Sequence, residues 1–413
     1  MLTSNIAHAY ASMYRNLFHI YYNKITNDYG KDERTMRLLI KNACLTTHEE
    51  RLEDHWLLCT DGRIEDFGPM DSCPEVGEVI DAKGMNVLPG AIEMHIHGAD
   101  GVDAMDADME YIEKISAHLP GTGSTSFLAT TMTAPLEDIE RALMNLADYR
   151  YVAGARMLGI HQEGPFISKK HPGAQDPKHI LVPDREAIHH LQDISGNQIR
   201  LITYAPEEDD GEFLDALKAL DIIPSAGHTD ATFETLKQAQ ALGLSHVTHL
   251  YNGMRGLHHR EPGTVGFSYM SDAYVELISD GIHSTPEMVK LAFDVITPDR
   301  LVMITDAMRA QGLPDGEYDL GGQTVHVSGK EARLADGTLA GSVLTMKQAV
   351  RNMREFTGCG WTDIVRMSAY NPAVELGLTD SKGVIRKGAD ADLVIYDEDA
   401  DLKHTIIGGK MYF

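Results

Sequence analysis

LPGAIEMHIHG, residues 88–98, opens a pattern that decides the fold. It is an apolar run of strand length that ends in His95-Ile96-His97, with Gly on both flanks. Seven more runs of the same kind follow: TSFLATTM (125–132), MLGIHQEGPF (157–166), IRLITYAPE (199–207), IIPSAGHT (222–229), HVTHLYNGM (246–254), YVELISDGIH (274–283) and LVMITDAM (301–308). Between them lie amphipathic stretches such as DATFETLKQAQALGL (230–244) and TPEMVKLAFDVI (285–296). Apolar runs alternating with helical patterns signal parallel strands with crossover helices. Eight such alternations predict an α/β protein with a (β/α)8 TIM-like barrel rather than an open doubly wound sheet.

Outside this block the pattern changes to short β segments at both ends. RLLIKNACLTT (37–47), WLLCTDGRI (56–64) and EVIDAKGMNVL (78–88) precede the barrel, and KGVIRKGADADLVIYD (382–397) and LKHTIIGGKMYF (402–413) follow it. The expected organisation is an extension without periodicity over residues 1–35 and a barrel over 88–375. A small β-sandwich domain is built from 36–87 and 376–413.

Composition narrows the function classes. The chain has 413 residues, 43% hydrophobic and 24% charged, as in ordinary globular proteins. Lys plus Arg number 36 against 62 Asp plus Glu, a formal charge of −26. Such an acidic surface repels phosphate backbones, so nucleic acid is excluded as a general partner. No run approaches the ~20 apolar residues of a membrane span. Four cysteines without a CxxC pair argue against a zinc ribbon or a disulfide framework. The N-terminus lacks a basic segment followed by an apolar core, so a reduced, cytoplasmic location is expected.

The chemistry falls at the ends of the apolar runs. His95 and His97 end the first, Glu163 the third, His228 the fifth, His249 the sixth, His283 the seventh and Asp306 the eighth. C-terminal strand ends are where such barrels build their active sites. In His-x-His both rings point to one side of a strand, so two nitrogens can meet one metal. One strand-end histidine is ordinarily a hydrogen-bonded structural residue. Ligand or acid–base groups at six ends of eight point instead to a divalent metal held by nitrogen and oxygen, zinc or iron.

HQEGPF (161–166), SAGHTDA (225–231), THLYNGM (248–254), HHREPG (258–263), SDGIH (279–283) and ITDAM (304–308) together resemble the N-acetylglucosamine-6-phosphate deacetylase family of the amidohydrolase superfamily. The resemblance runs from about Met36 to the C-terminus and implies a metal barrel with a small β domain from both chain ends. It implies hydrolysis of N-acetyl-D-glucosamine 6-phosphate to D-glucosamine 6-phosphate and acetate. Glu163, His228 and His249 match the main metal ligands, and Asp306 matches the catalytic acid–base. Retention of His95 and His97 places this chain among members expected to hold two metals. Asn252 and Gly253 match the stretch that grips the sugar phosphate, and His283 resembles a residue near the phosphate and sugar hydroxyls. Arg260 resembles an arginine that reaches the phosphate from the other subunit of a homodimer.

Two departures stand out. HPGAQD (171–176) places Gln175 where some members carry a histidine that polarises the acetyl carbonyl, with His171 nearby and without an assigned role. The 35-residue extension has no counterpart in the typical member. Three other readings are open to test. A cyclic amidase of the dihydroorotase type would need a lysine on strand four, which IRLITYAPE lacks. The galactosamine epimer as substrate is not distinguished by the motifs. A non-catalytic scaffold should have lost ligands, and this chain keeps them.

Overall fold

The computed structural model describes residues 36–76 and 78–413, so the extension expected over 1–35 lies outside the described residues. The eight apolar runs form Ala91–Ile96, Ser124–Thr131, Arg156–Glu163, Ile199–Tyr204, Ile223–Ala226, His246–Val247, Tyr274–Ile278 and Leu301–Ile304. Each pairs in parallel with the next. The ring is closed by a parallel bridge between Ile96 and Ala307. There the Asp306 amide donates to the His95 carbonyl and the His97 amide to that of Ala307, both at 2.9 Å. The fold is the (β/α)8 barrel that the alternation implies.

Helices cover the outside for reasons visible in their residues. Phe233–Leu242 starts where Thr232 caps the Thr235 amide and ends before Gly243 at φ 128°. Pro286–Ile296 begins with proline, which has no amide to leave unpaired, and buries Val289, Ala292 and Ile296 on one face. Each large aliphatic side chain buried this way contributes about 1.5–3 kcal/mol. With helices outside, the strands are covered on both faces and read as nearly continuous apolar runs.

The barrel interior is less apolar than its strands suggest. Glu93, His95, His161, Thr203, Ser225, His246, Thr248 and Glu276 are all fully buried. His161 Nε2 lies 2.8 Å from Thr203 Oγ1, which is 2.7 Å from Thr248 Oγ1, itself 2.6 Å from Ser225 Oγ. This hydrogen-bonded line ties strands three to six together below the mouth.

Both chain ends contribute to one separate eight-stranded sheet. It takes Arg37–Thr46, Arg51–Thr60, Arg63–Pro69, Glu78–Asp81 and Asn86–Pro89 from the N-terminal side, and Leu393–Tyr396, Leu402–Ile407 and Lys410–Met411 from the other. Leu88 and Pro89, inside the first apolar run, belong to this sheet, where they pair with Val394 and Leu393. Gly90 makes the crossing into the barrel. A Cβ there would lie 2.2 Å from the Thr125 side chain, so no other residue fits.

One element was not expected. Gly316–Leu320, Gln323–Ser328 and Glu331–Arg333 form a three-stranded antiparallel sheet between strand eight and the helix Met346–Thr357. Leu320, Val325 and Val327 pack it onto Met132 and Met308 at the mouth.

Candidate metal centre

Glu163 ends its strand, whereas His228, His249 and Asp306 each lie two residues past theirs. All three have left-handed backbones, with φ of 48°, 30° and 50°. That conformation cannot continue a strand ladder, so the pairing stops and the side chains turn over the mouth. Asn, Asp and His adopt it more readily than other non-glycine residues, at a cost of order 1 kcal/mol. His283 lies further out still, five residues past Ile278 in the following loop rather than at the strand end.

Glu163 is the hub. Its Oε1 lies 3.1 Å from His228 Nε2, 3.0 Å from His249 Nε2 and 3.5 Å from His95 Nε2. Its Oε2 lies 3.4 Å from His97 Nε2 and accepts from Gln175 Nε2 at 2.9 Å. Asp306 Oδ1 is 3.3 Å from His97 Nε2 and 3.5 Å from His95 Nε2. Three buried groups could each hold a cation: Glu163 with His228 and His249, Asp306 with His95 and His97, and, within the barrel, Glu276 with His95 and His161. Ring closure between strands one and eight is what brings the second group together.

Ring orientations test whether a cation fits. His228 Nδ1 faces the His171 carbonyl at 2.9 Å and His249 Nδ1 faces that of Asn252 at 3.1 Å. A carbonyl only accepts, so each Nδ1 carries a proton and Nε2 is the atom left to offer a lone pair to a cation. The two Nε2 atoms lie 3.1 Å apart. His95 Nδ1 faces Glu276 at 3.0 Å, and its buried Nε2 has no hydrogen-bond partner. Converging lone pairs around a carboxylate repel unless a cation sits among them, and imidazole with carboxylate suits zinc or iron.

Electrostatics agree. Burial opposes a charge on His95, but Glu276, Asp306 and Glu163 outweigh it and raise its pKa to about 9. Burial likewise opposes a charge on His97, yet Asp306 and Glu163 push it well above the ordinary value. For Asp306 and Glu163 burial favours the neutral acid, but the surrounding histidines hold both below the ordinary carboxylate range. Without metal the site therefore holds protons where cations would bind.

A cavity of about 340 Å³ opens over the centre. His97, Glu163, Gln175, His228, His249, Asn252, Gly253, His283 and Asp306 line it, nine of the eleven residues singled out from the sequence. His95 lies fully buried beneath them. Arg260 is not brought in: it is exposed in the loop bridged by His258 and Glu261, its Nη1 2.8 Å from His259 Nε2. Gln175 is fixed at both ends, because its Oε1 accepts from the Thr133 amide at 2.9 Å and its Nε2 must then face Glu163. His283 Nδ1 lies 2.7 Å from Asp280 Oδ2, which leaves Nε2 for the cavity. Gly253, at φ 57°, lies so close that a Cβ would sit 3.0 Å from His228 Nδ1. His171 contributes its carbonyl to His228, while its ring faces Asp230 at 3.3 Å.

Sequence reasoning missed two sets of residues. Leu320, Arg333, Thr338, Leu339 and Gly341 reach the cavity from the inserted sheet and the loop after it. Glu93, His161, His246 and Glu276 lie inside the barrel. Period-two alternation would have found two of them, since Glu93 and His161 stand two residues before His95 and Glu163 and share their face.

A model of the amidohydrolase family matches residues 86–412. The chain belongs to the amidohydrolase family. Among its relatives, the N-acetylglucosamine-6-phosphate deacetylase of Bacillus subtilis (strain 168) is 44% identical over 384 residues, covering 91% of this chain and 97% of the relative. The N-acetylgalactosamine-6-phosphate deacetylase of Escherichia coli O157:H7 is 35% identical over 380 residues, covering 91% and 99%. Among solved amidohydrolase structures, a mutant N-acetyl-D-glucosamine-6-phosphate deacetylase from Mycobacterium smegmatis in complex with N-acetyl-D-glucosamine-6-phosphate is similar at a TM-score of 0.85 and 31% identity. That match covers 92% of this chain and 99% of the other. Among the described residues no helix is long and apolar enough to cross a membrane.

Proposed function

We propose that this chain hydrolyses N-acetyl-D-glucosamine 6-phosphate to D-glucosamine 6-phosphate and acetate, using two divalent cations, zinc or iron. Glu163, His228 and His249 would hold one cation, and His95 and His97, beside Glu163 and Asp306, would hold the other. The observation that carries the reading is the double cradle beside Asp306, in a chain so similar to enzymes named for this reaction.

Cations in this cradle supply water activation and stabilisation of negative charge on the attacked carbonyl. Asp306 orients the attacking water and takes its proton. It then delivers the proton to the departing nitrogen, since an amide anion leaves too poorly to be expelled unaided. Burial opposes a charge on Asp306, but His95 and His97 outweigh it and hold the group below the ordinary carboxylate range, so it is ionised and free to accept a proton. Gln175, its amide locked toward Glu163, places an N–H beside the reacting group. Asn252, Gly253 and His283 bind the sugar phosphate, remote from the scissile bond, so that binding energy orients the acetamide.

The chain acts as a cytoplasmic homodimer in which Arg260 completes the phosphate site of the partner. Its exposed position outside its own cavity, with exposed Leu257 three residues before it, supports this.

The 35% identical galactosamine enzyme keeps the epimer as a second reading. Acetate release from both epimers and from unphosphorylated N-acetylglucosamine, with metal analysis of the same sample, tests all of this. The expected order is glucosamine epimer first, unphosphorylated sugar last, with about two metals per chain. Equal turnover of the unphosphorylated sugar, or none of any, would overturn the reading.

A further inference from the structure

A carboxylate inside the barrel, on none of the eight strand ends, touches both halves of the centre. Glu276 sits mid-strand in Tyr274–Ile278 and is fully buried. Its Oε2 lies 3.0 Å from His95 Nδ1 and 3.1 Å from the His249 backbone amide. Its Oε1 lies 3.3 Å from His246 Nε2, and His246 Nδ1 lies 2.8 Å from Glu375 Oε1. Glu375 belongs to the helix segment Asn371–Glu375, and its side chain is also buried. His95 hydrogen-bonds to Glu276, and His246, in ion-pair contact with Glu276 but without hydrogen-bond geometry, links it to Glu375, away from the mouth.

Burying carboxylates costs several kcal/mol each unless they are well paired, so an apolar residue here would give a simpler core. What an apolar residue cannot do is accept two N–H groups at once. Accepting from Nδ1 leaves His95 Nε2 free to face Glu163 and Asp306. Accepting from the His249 amide anchors a residue whose left-handed backbone, at φ 30°, has no strand partner to hold it. One carboxylate thus fixes a ligand ring in one group and a ligand backbone in the other.

We propose that Glu276 is a positioning residue that sets how tightly the His95–His97 position binds its cation, and that His246 and Glu375 hold Glu276 in place for this task. The proposal rests on reading His95 and His97 as metal ligands. Groups that orient a ligating histidine typically change metal affinity 10–100-fold when removed.

The test is metal binding by the full-length, metal-stripped protein, titrated with Co²⁺ or Zn²⁺ against a competing chelator. Glu276→Leu keeps the volume and removes the acceptor. It should weaken the His95–His97 position about 10–100-fold, and the Glu163–His228–His249 position less, since there it removes only the acceptor of the His249 amide. Glu276→Gln retains an oxygen for both N–H groups, and its amide nitrogen can donate to His246 Nε2 while His246 Nδ1 donates to Glu375. It should stay within about threefold of wild type, which a merely space-filling role would not predict. Two tight sites in folded Glu276→Leu protein would overturn the proposal. If Glu276→Leu does not fold, His246→Leu decides, since it removes the hold on Glu276 and touches neither ligand. Weakening of the same position supports the proposal, and unchanged affinity overturns it. A wild-type protein with a single site would instead refute the two-metal reading on which the proposal stands.

Discussion

Asp306→Asn separates chemistry from architecture more cleanly than any other substitution in this chain. The backbone at position 306 has φ 50°, which asparagine adopts about as readily as aspartate. Its ring-closing bonds, Asp306 amide to His95 carbonyl and Ser342 amide to the Asp306 carbonyl, involve main chain alone. In the metal-loaded protein the fold should persist, whereas metal-free protein loses a buried charge partner of His95 and His97, a cost of about 3–5 kcal/mol. Glu163, His228 and His249 lose nothing, so at least that metal position should remain full. What disappears is the proton acceptor 3.3 Å from His97. General acid–base groups contribute about 100- to 10,000-fold, so the barrier should rise by about 2.7–5.5 kcal/mol. The assay is acetate release at saturating N-acetylglucosamine 6-phosphate, with metal content matched to wild type. Asp306→Ala is the control: both variants lose the carboxylate, but alanine resists a positive φ by about 1–2 kcal/mol, so it should melt about 1–2 °C below Asp306→Asn. Metal-replete Asp306→Asn protein with near-native turnover would refute the role given to Asp306.

Three further outcomes are expected. Because neighbouring carboxylates outweigh burial and raise His95 to about 9 and His97 well above its ordinary value, filling that position should release a proton from each ring. Apparent affinity should then climb by up to about a hundredfold per pH unit while both rings are protonated and less steeply above about 9, as calorimetry in buffers of different ionisation enthalpy would show. The raised His95 pKa also means that metal-free protein is stabilised below the unfolded value of about 6.5 and loses that stability between there and about 9. Gly253→Ala would bring a Cβ to 3.0 Å from His228 Nδ1 at a positive φ, so both melting temperature and bound metal should drop; unchanged metal content would show that His228 has room to move. Co-expressed Arg260→Ala and Asp306→Asn chains should recover about a quarter of wild-type activity, since about half of random dimers carry one intact shared site. Tandem-purified hybrids with no recovered activity would rule out an arginine donated across the interface.

The barrel was legible because eight apolar runs, each followed by a helical pattern, leave little else to build. Glu163, His228, His249 and Asp306 were legible because a polar residue at the end of such a run has a place in the fold where it makes sense. Their left-handed backbones were not legible, since nothing in SAGHTDA or THLYNGM distinguishes a residue on a strand from one just beyond it. Glu276 was hidden for the opposite reason: within YVELI a single acid reads as an outward-facing residue until the barrel puts His95 and His246 against it. The inserted sheet over Gly316–Arg333 is polar and turn-rich, so it resembled a loop. Arg260 lies in an exposed loop outside the cavity, and no pattern within the sequence marks it as outside.

Closure of the ring at Ile96 and Ala307 also imposes an order of events on biosynthesis. Glu163, His228 and His249 leave the ribosome within a stretch of neighbouring strands and can come together before the last of the barrel is made. His95 and His97 emerge much earlier but meet Asp306 only after some 210 more residues have been added, about 10–40 s at ordinary elongation rates. Glu163 follows them after only about 66 residues, so what they lack during that interval is Asp306. The group of His95, His97 and Asp306 is therefore complete only after translation has passed strand eight.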